Sequence, residues 1–130
     1  MTTHPDMPEF FSMRDGYGHF CLSGDHTFAE AVARIDEAIY WCRVNAISRL
    51  LVDIRELTGF PSPTTAERFE FATRWANTAE GKVALCTIAP PLLIDPDRIG
   101  VTMAKNRGLQ TEVFTDEAEA LIWINRRPSR

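Results

Sequence analysis

Two uninterrupted apolar runs, "RLLVDI" at 49–54 and "KVALCTIA" at 82–89, constrain the fold of this chain most. A strand with one wet face alternates polar and apolar residues. These runs do not, so they predict short strands covered on both faces. Each is followed by a segment of helical period. Strands alternating with helices imply parallel neighbours joined by crossover helices.

The remaining segments fit this frame. "EFFSMR" and "HFCLSG" read as two strands around "DGYG", in which Asp-Gly is a strong hairpin signal. In "HTFAEAVARIDEAIYWCR", Thr27 and Glu30 have capping-box spacing and mark a helix start. Phe28, Val32, Ile35, Ile39 and Cys42 fall on one stripe, with Glu30, Arg34 and Glu37 opposite. A second helix is expected over 63–80, stopped by Gly81. Asp95 can cap a third, with Pro96 at its first position and Gly108 just past its end near Arg107. "QTEVF" is the last strand and "TDEAEALIWIN" the last helix, acidic in its first turn and followed by Arg126 and Arg127. The expected fold is α/β, with a mixed, mostly parallel five-stranded sheet, an N-terminal hairpin and about four helices. The expected layout is a loose arm at 1–8, one domain at 9–125 and a basic tail at 126–130.

With 130 residues, 45% apolar and 25% charged, the chain has the composition of an ordinary soluble globular domain. A net charge of −4 lacks the basic footprint of a nucleic-acid binder. No apolar run reaches the roughly 18 residues that span a bilayer. "MTTHPDMPEF" has neither the basic nor the apolar region of a secretory signal. Cys21, Cys42 and Cys86 are odd in number, widely spaced and in apolar contexts, which predicts reduced, packed thiols in a cytoplasmic protein. Phosphate-loop, zinc-protease, dithiol and serine-elbow motifs are absent. His4, His19 and His26 lie far apart, and Asp25, Asp95 and Asp97 sit where local capping explains them. The expectation is a non-catalytic protein without a cofactor or metal.

Two segments carry the candidate site. In "TTAERFEFATRWANTAEG", Phe69, Ala72, Ala76 and Ala79 share a narrow stripe, with Phe71 and Trp75 beside it. These two aromatics either complete the core or face a binding surface. In "APPLLID", Leu92, Leu93 and Ile94 are three apolar residues in what should be a loop at the carboxyl end of a strand. Open α/β sheets bind ligands at such ends. The three either fold back into the core, line an apolar pocket or dip into a membrane surface. The "GFPSPT" turn should emerge at the same edge, so Gly59, Phe60, Phe71, Trp75, Leu92, Leu93 and Ile94 could enclose one cleft. Gly100 is a weak point at which the third helix could move. Trp41 and Tyr40 miss the first helix's apolar stripe and either pack at the helix end or form a dimer contact.

The pieces "LLVDIRELTGF" and "NRGLQTEVFTDEAEALIWI" resemble the SpoIIAA-like family of the STAS (sulphate transporter and anti-sigma antagonist) superfamily, and the likeness covers residues 9–125. The resemblance implies helices packed mainly on one side of a mixed sheet and work by binding rather than catalysis. Some members look like lipid-binding or peripheral membrane proteins, and the fold is similar to CRAL-TRIO lipid-transfer domains. In anti-sigma antagonists of the superfamily, a phosphorylated Ser follows a strand-end Asp. Laying Asp53 on that Asp brings Ser62 to the Ser, although Pro61, Pro63 and Thr64 replace its usual neighbours. Ser62 is then either a helix cap, with Thr64 and Glu67 offering a second capping choice, or a switch. The leading expectation is a domain that binds an apolar small molecule or a lipid surface, in the cytoplasm or peripherally at the membrane. Phe60, Phe71, Trp75, Leu92, Leu93 and Ile94 would carry it. The alternative is a regulatory module for a protein partner with Ser62 at the contact; homodimerisation is left open.

Overall fold

The structure is a computed structural model that describes residues 7–128; residues 1–6 of the expected arm and 129–130 of the expected tail lie outside the described residues. Strands β1 (Phe11–Arg14) and β2 (Tyr17–Cys21) are followed by β3 (Gly24–Asp25), α1 (Phe28–Val44), β4 (Arg49–Asp53) and β5 (Leu57–Thr58). Then come α2 (Thr65–Ala79), β6 (Ala84–Ile88), a single 3-10 turn at Pro91–Leu93, α3 (Ile99–Asn106), β7 (Thr111–Phe114) and α4 (Glu117–Asn125). The main sheet has five strands in the order β1-β2-β4-β6-β7. Its first pair is antiparallel and the other three are parallel. The α/β class, the mixed five-stranded sheet and the four helices agree with the expectation.

Local chemistry sets these elements. The hairpin closes through Asp15 and Gly16, both at positive φ, the twist that Asp-Gly supplies at least cost. Thr27 and Glu30 form the complete capping box at the start of α1. In β4, Leu50 and Val52 face α1, α2 and α3, while Leu51 joins Cys86, Ile88, Ala120 and Ile124 on the α4 face. Three helices on one face and one on the other explain why Leu50, Leu51 and Val52 follow one another in β4 without a polar residue between them.

Several expectations are corrected. Pro63 does not open α2; Thr64 caps it, with its hydroxyl accepting from the Glu67 amide at 3.1 Å and the Glu67 carboxylate accepting from the Thr64 amide at 2.8 Å. Phe69 leaves the core stripe and is 45% exposed beneath the Arg107 guanidinium. Asp95 is not the N-cap of α3: Arg98 holds that position at positive φ, residues 95–98 form a turn first so Pro96 is not helical, and the Asp95 carboxylate reaches past the turn to accept from the Ile99 amide at 2.8 Å. The parallel ribbon of β3 and β5 was not expected, because two residues carry no period. Trp41 is buried 4.8 Å from the Phe11 ring, so it packs rather than forming a dimer contact, while Tyr40 stays exposed. Met7, expected in the loose arm, is half-buried against the core.

Of the thiols, Cys42 and Cys86 are buried, and burial pushes both up to about 12. Cys21, expected to be packed, is exposed at the end of β2. A thiol reagent at pH 8 should modify one cysteine of the native protein and all three in denaturant. Rapid native reaction of more than one would contradict this packing.

Candidate functional site

A cleft opens between the three-helix layer and the sheet, near the carboxyl ends of β4 and β6. The lining is supplied by small residues where large ones would have closed it. Ala72 from α2 and Gly100 and Ala104 from α3 face Leu85 and Ala89 of the β6 segment. Around them stands an aromatic fence. The rings of Phe28 and Phe60 are 5.4 Å apart edge to face, Phe28 and Phe71 6.1 Å, and Phe71 and Trp75 4.6 Å. The Trp75 indole N–H donates to the Val32 carbonyl at 3.2 Å, which locks the ring against α1. The free space is about 120 Å³. It is large enough to admit water, but the mostly apolar wall offers water few partners. Such a space favours an apolar guest. It reaches the surface where half-buried Pro63 and exposed Arg98 join its wall.

Of the residues expected here, Phe60, Phe71, Trp75, Leu93 and Ile94 come together in this wall. Leu92 does not: the 3-10 turn aims it outward, where it is 72% exposed. Gly59 is not part of the wall either; it packs against the His26 backbone one residue before Phe60. Phe28 and Arg68 are among the wall residues that were not expected in it. Phe28 was read as plain core. Arg68 was overlooked although it shares the helical spacing of Ala72, Ala76 and Ala79; its charge argued for the wet side. It is 8% exposed. Its guanidinium donates to the Leu93 carbonyl at 3.4 Å and to the Ser62 hydroxyl at 3.1 Å. Ser62 therefore does not cap α2; it is exposed and accepts from Arg68. Two carboxylates in the wall are engaged: Asp95 accepts from the Ile99 amide at 2.8 Å, and Glu112 pairs with Arg98 at 2.8 Å and Lys105 at 3.3 Å.

The other sheet face carries a charged network beside α4. Asp53 accepts from Arg55 at 3.0 and 2.7 Å, and Arg55 also reaches Glu117 at 3.4 Å. Burial works to raise the Asp53 carboxyl, but the hydrogen bonds from Arg55 outweigh it and hold the group below the usual carboxylate range. Nearby His19 is lowered, first by burial and then by Arg14, against smaller opposing effects of Asp53 and Glu117. A lowered histidine means that the unfolded chain binds the proton first as pH falls from 6.5. Stability is therefore held above 6.5 and lost as pH drops towards the native value. His19→Gln should flatten that limb of a stability–pH curve while leaving in place the loss at still lower pH, as the depressed Asp53 carboxyl takes up its proton. An unchanged slope just below 6.5 would refute it. Among the described residues no group of three His, Cys, Asp or Glu side chains could hold a metal ion. No helix among them is long and apolar enough to cross a membrane.

Comparison with known proteins finds no matching family model, no matching curated protein and no matching solved structure.

Proposed function

We propose that this chain is a non-catalytic, SpoIIAA-like domain of the STAS type that binds a small apolar molecule in the cleft beneath α2 and α3. The observation that carries this reading is the mostly apolar hollow of about 120 Å³ fenced by Phe28, Phe60, Phe71 and Trp75. An engineered apolar cavity of about 150 Å³ stays dry and holds benzene. A well-packed core leaves few voids larger than a water molecule. Burial of the guest would supply the affinity, at about 25 cal/mol for each Å² removed from water. The family likeness and the arrangement of helices, three on one face of a mixed sheet, support the same reading.

The test is an amide and indole N–H titration with benzene, run beside an Ala104→Leu variant that fills the hollow. Saturable shifts should centre on the Trp75 indole, Ala72 and Leu93, and disappear in the filled variant. Shifts that are absent, or that persist unchanged when the space is filled, would sink the reading. Binding at a lipid surface instead would draw on Leu92, and flotation with neutral vesicles, abolished by Leu92→Ser, would reveal it.

One observation favours a second reading, a regulatory module. The exposed Ser62 hydroxyl already touches the Arg68 guanidinium, two residues before the α2 N-cap. A phosphate on Ser62 would gain a charged partner and the favourable end of a helix dipole. Mass spectrometry of protein from its native host tests this, and unmodified Ser62 across growth conditions counts against it.

A further inference from the structure

We infer that the guest of this cleft carries one carboxylate on a compact apolar body, with the carboxylate at the Arg68 guanidinium and the body among Phe28, Phe71 and Trp75. This rests on the cleft being the binding site.

The observation is the state of Arg68. It lines the hollow and is 8% exposed, yet no carboxylate of the described residues lies within 4.0 Å of it. Its bonds go to one carbonyl at the long distance of 3.4 Å and to one hydroxyl. A guanidinium has five N–H donors, so it can donate further. Five other arginines of the described residues are handled differently. Arg34, Arg43, Arg55, Arg74 and Arg98 each have a carboxylate within 4.0 Å. Arg49, also buried without one, lies over the Tyr17 ring on the opposite side of the sheet and does not border the hollow. A buried cation facing an apolar hollow is costly unless an anion joins it.

The charge and size of that anion follow from the rest of the wall. Asp95 and Glu112 border the same space, and Arg98 is already taken by Glu112. Arg68 is the wall cation with no carboxylate within 4.0 Å, and with Asp95 and Glu112 on the same wall a dianion such as a phosphate monoester is repelled more than a single negative charge. The planar fork of arginine matches a carboxylate with two parallel hydrogen bonds. Arg68 bonds to exposed Ser62 and to half-buried Leu93, so the head lies towards the rim and the body points inward. A space of about 120 Å³ restricts that body to roughly a single ring or a short branched chain.

Calorimetric titration of the intact chain with benzoate, benzamide and phenylphosphonate tests this. Benzoate should bind about ten-fold or more tightly than benzamide, a difference of about 1.4 kcal/mol, and more tightly than phenylphosphonate. In Arg68→Met the preference for benzoate should vanish while benzamide affinity stays within about two-fold; Arg68→Lys should keep part of the preference. Equal binding of benzoate and benzamide by the unaltered protein overturns the carboxylate and leaves the apolar cleft standing. Tighter phenylphosphonate overturns the single charge. If benzoate and benzamide both fail to bind, and benzene fails as well, the cleft itself falls and this inference with it.

Discussion

Gly59→Ala should cost about 2–4 kcal/mol of stability and lower the melting temperature by on the order of 10 °C. Gly59 has φ +113, a conformation that L side chains rarely adopt. A methyl group there would also lie 2.8 Å from the His26 backbone nitrogen and closer still to its carbonyl oxygen. Both obstacles are backbone atoms, which cannot swing aside like a side chain. The chain must part between β3 and β5, where His26 N–H donates to the Thr58 carbonyl at 3.0 Å. Strain contributes about 1–3 kcal/mol and the lost bond about 1 kcal/mol. The cleft should suffer too, because Phe60 follows Gly59 and Phe28 follows the His26–Thr27 corner. Gly24→Ala is the control: Gly24 is also at positive φ, +86, but nothing lies within 4 Å of its added methyl. It should lose only the strain of a left-handed residue, about 1–2 kcal/mol. Equal losses in denaturant unfolding would show that the close approach to His26 contributes nothing.

Arg68→Met should move in the opposite direction and stabilise the ligand-free protein by about 1–2 kcal/mol. Replacing even a buried ion pair by apolar side chains of similar volume is often neutral or stabilising by about 1–4 kcal/mol, and a buried cation without a paired anion is costlier to keep. The lower half of that range applies because the guanidinium already has two hydrogen bonds. The groups it leaves tolerate the loss: Ser62 is exposed and Leu93 half-buried, so water can reach them. Arg68→Ala is the informative companion. It also removes the aliphatic stem beyond Cβ and should destabilise by about 1–2 kcal/mol. Urea unfolding separates the two. Loss of more than 1 kcal/mol in Arg68→Met would mean that the guanidinium is a structural strut, and that its burial needs no ligand to account for it. A gain, joined to loss of benzoate preference, fits a residue kept for binding at some cost to stability.

The site and the fold differ in how much of them could be read from residues in order. Periodicity and capping act over a few residues, so they are legible wherever they occur. The Asp15–Gly16 turn, the Thr27–Glu30 box and the unbroken β4 run each led to the observed element. The cleft was legible in part, because Phe71, Trp75, Leu93 and Ile94 broke local rules: too apolar for a loop, too large for an alanine stripe. Its electrostatics were not. Positions 68 and 69 both extend the Ala72–Ala76–Ala79 stripe within the tolerance of helical spacing, and charge favoured Phe69 for the interior. The structure buries Arg68 instead and leaves Phe69 45% exposed. Leu92 and Leu93 are likewise adjacent and alike, and only a single 3-10 turn sends one out and the other in.

By itself, then, the sequence determined the class of fold, the number of main strands and helices, and most of the aromatic wall. Tertiary structure decided which neighbour at each boundary faces inward, the pairing of β3 with β5, and the hollow itself. The physical reason is that periods and caps are properties of one segment. An empty space is a property of several segments that approach and fail to meet, and its size depends on volumes contributed by residues far apart in the chain.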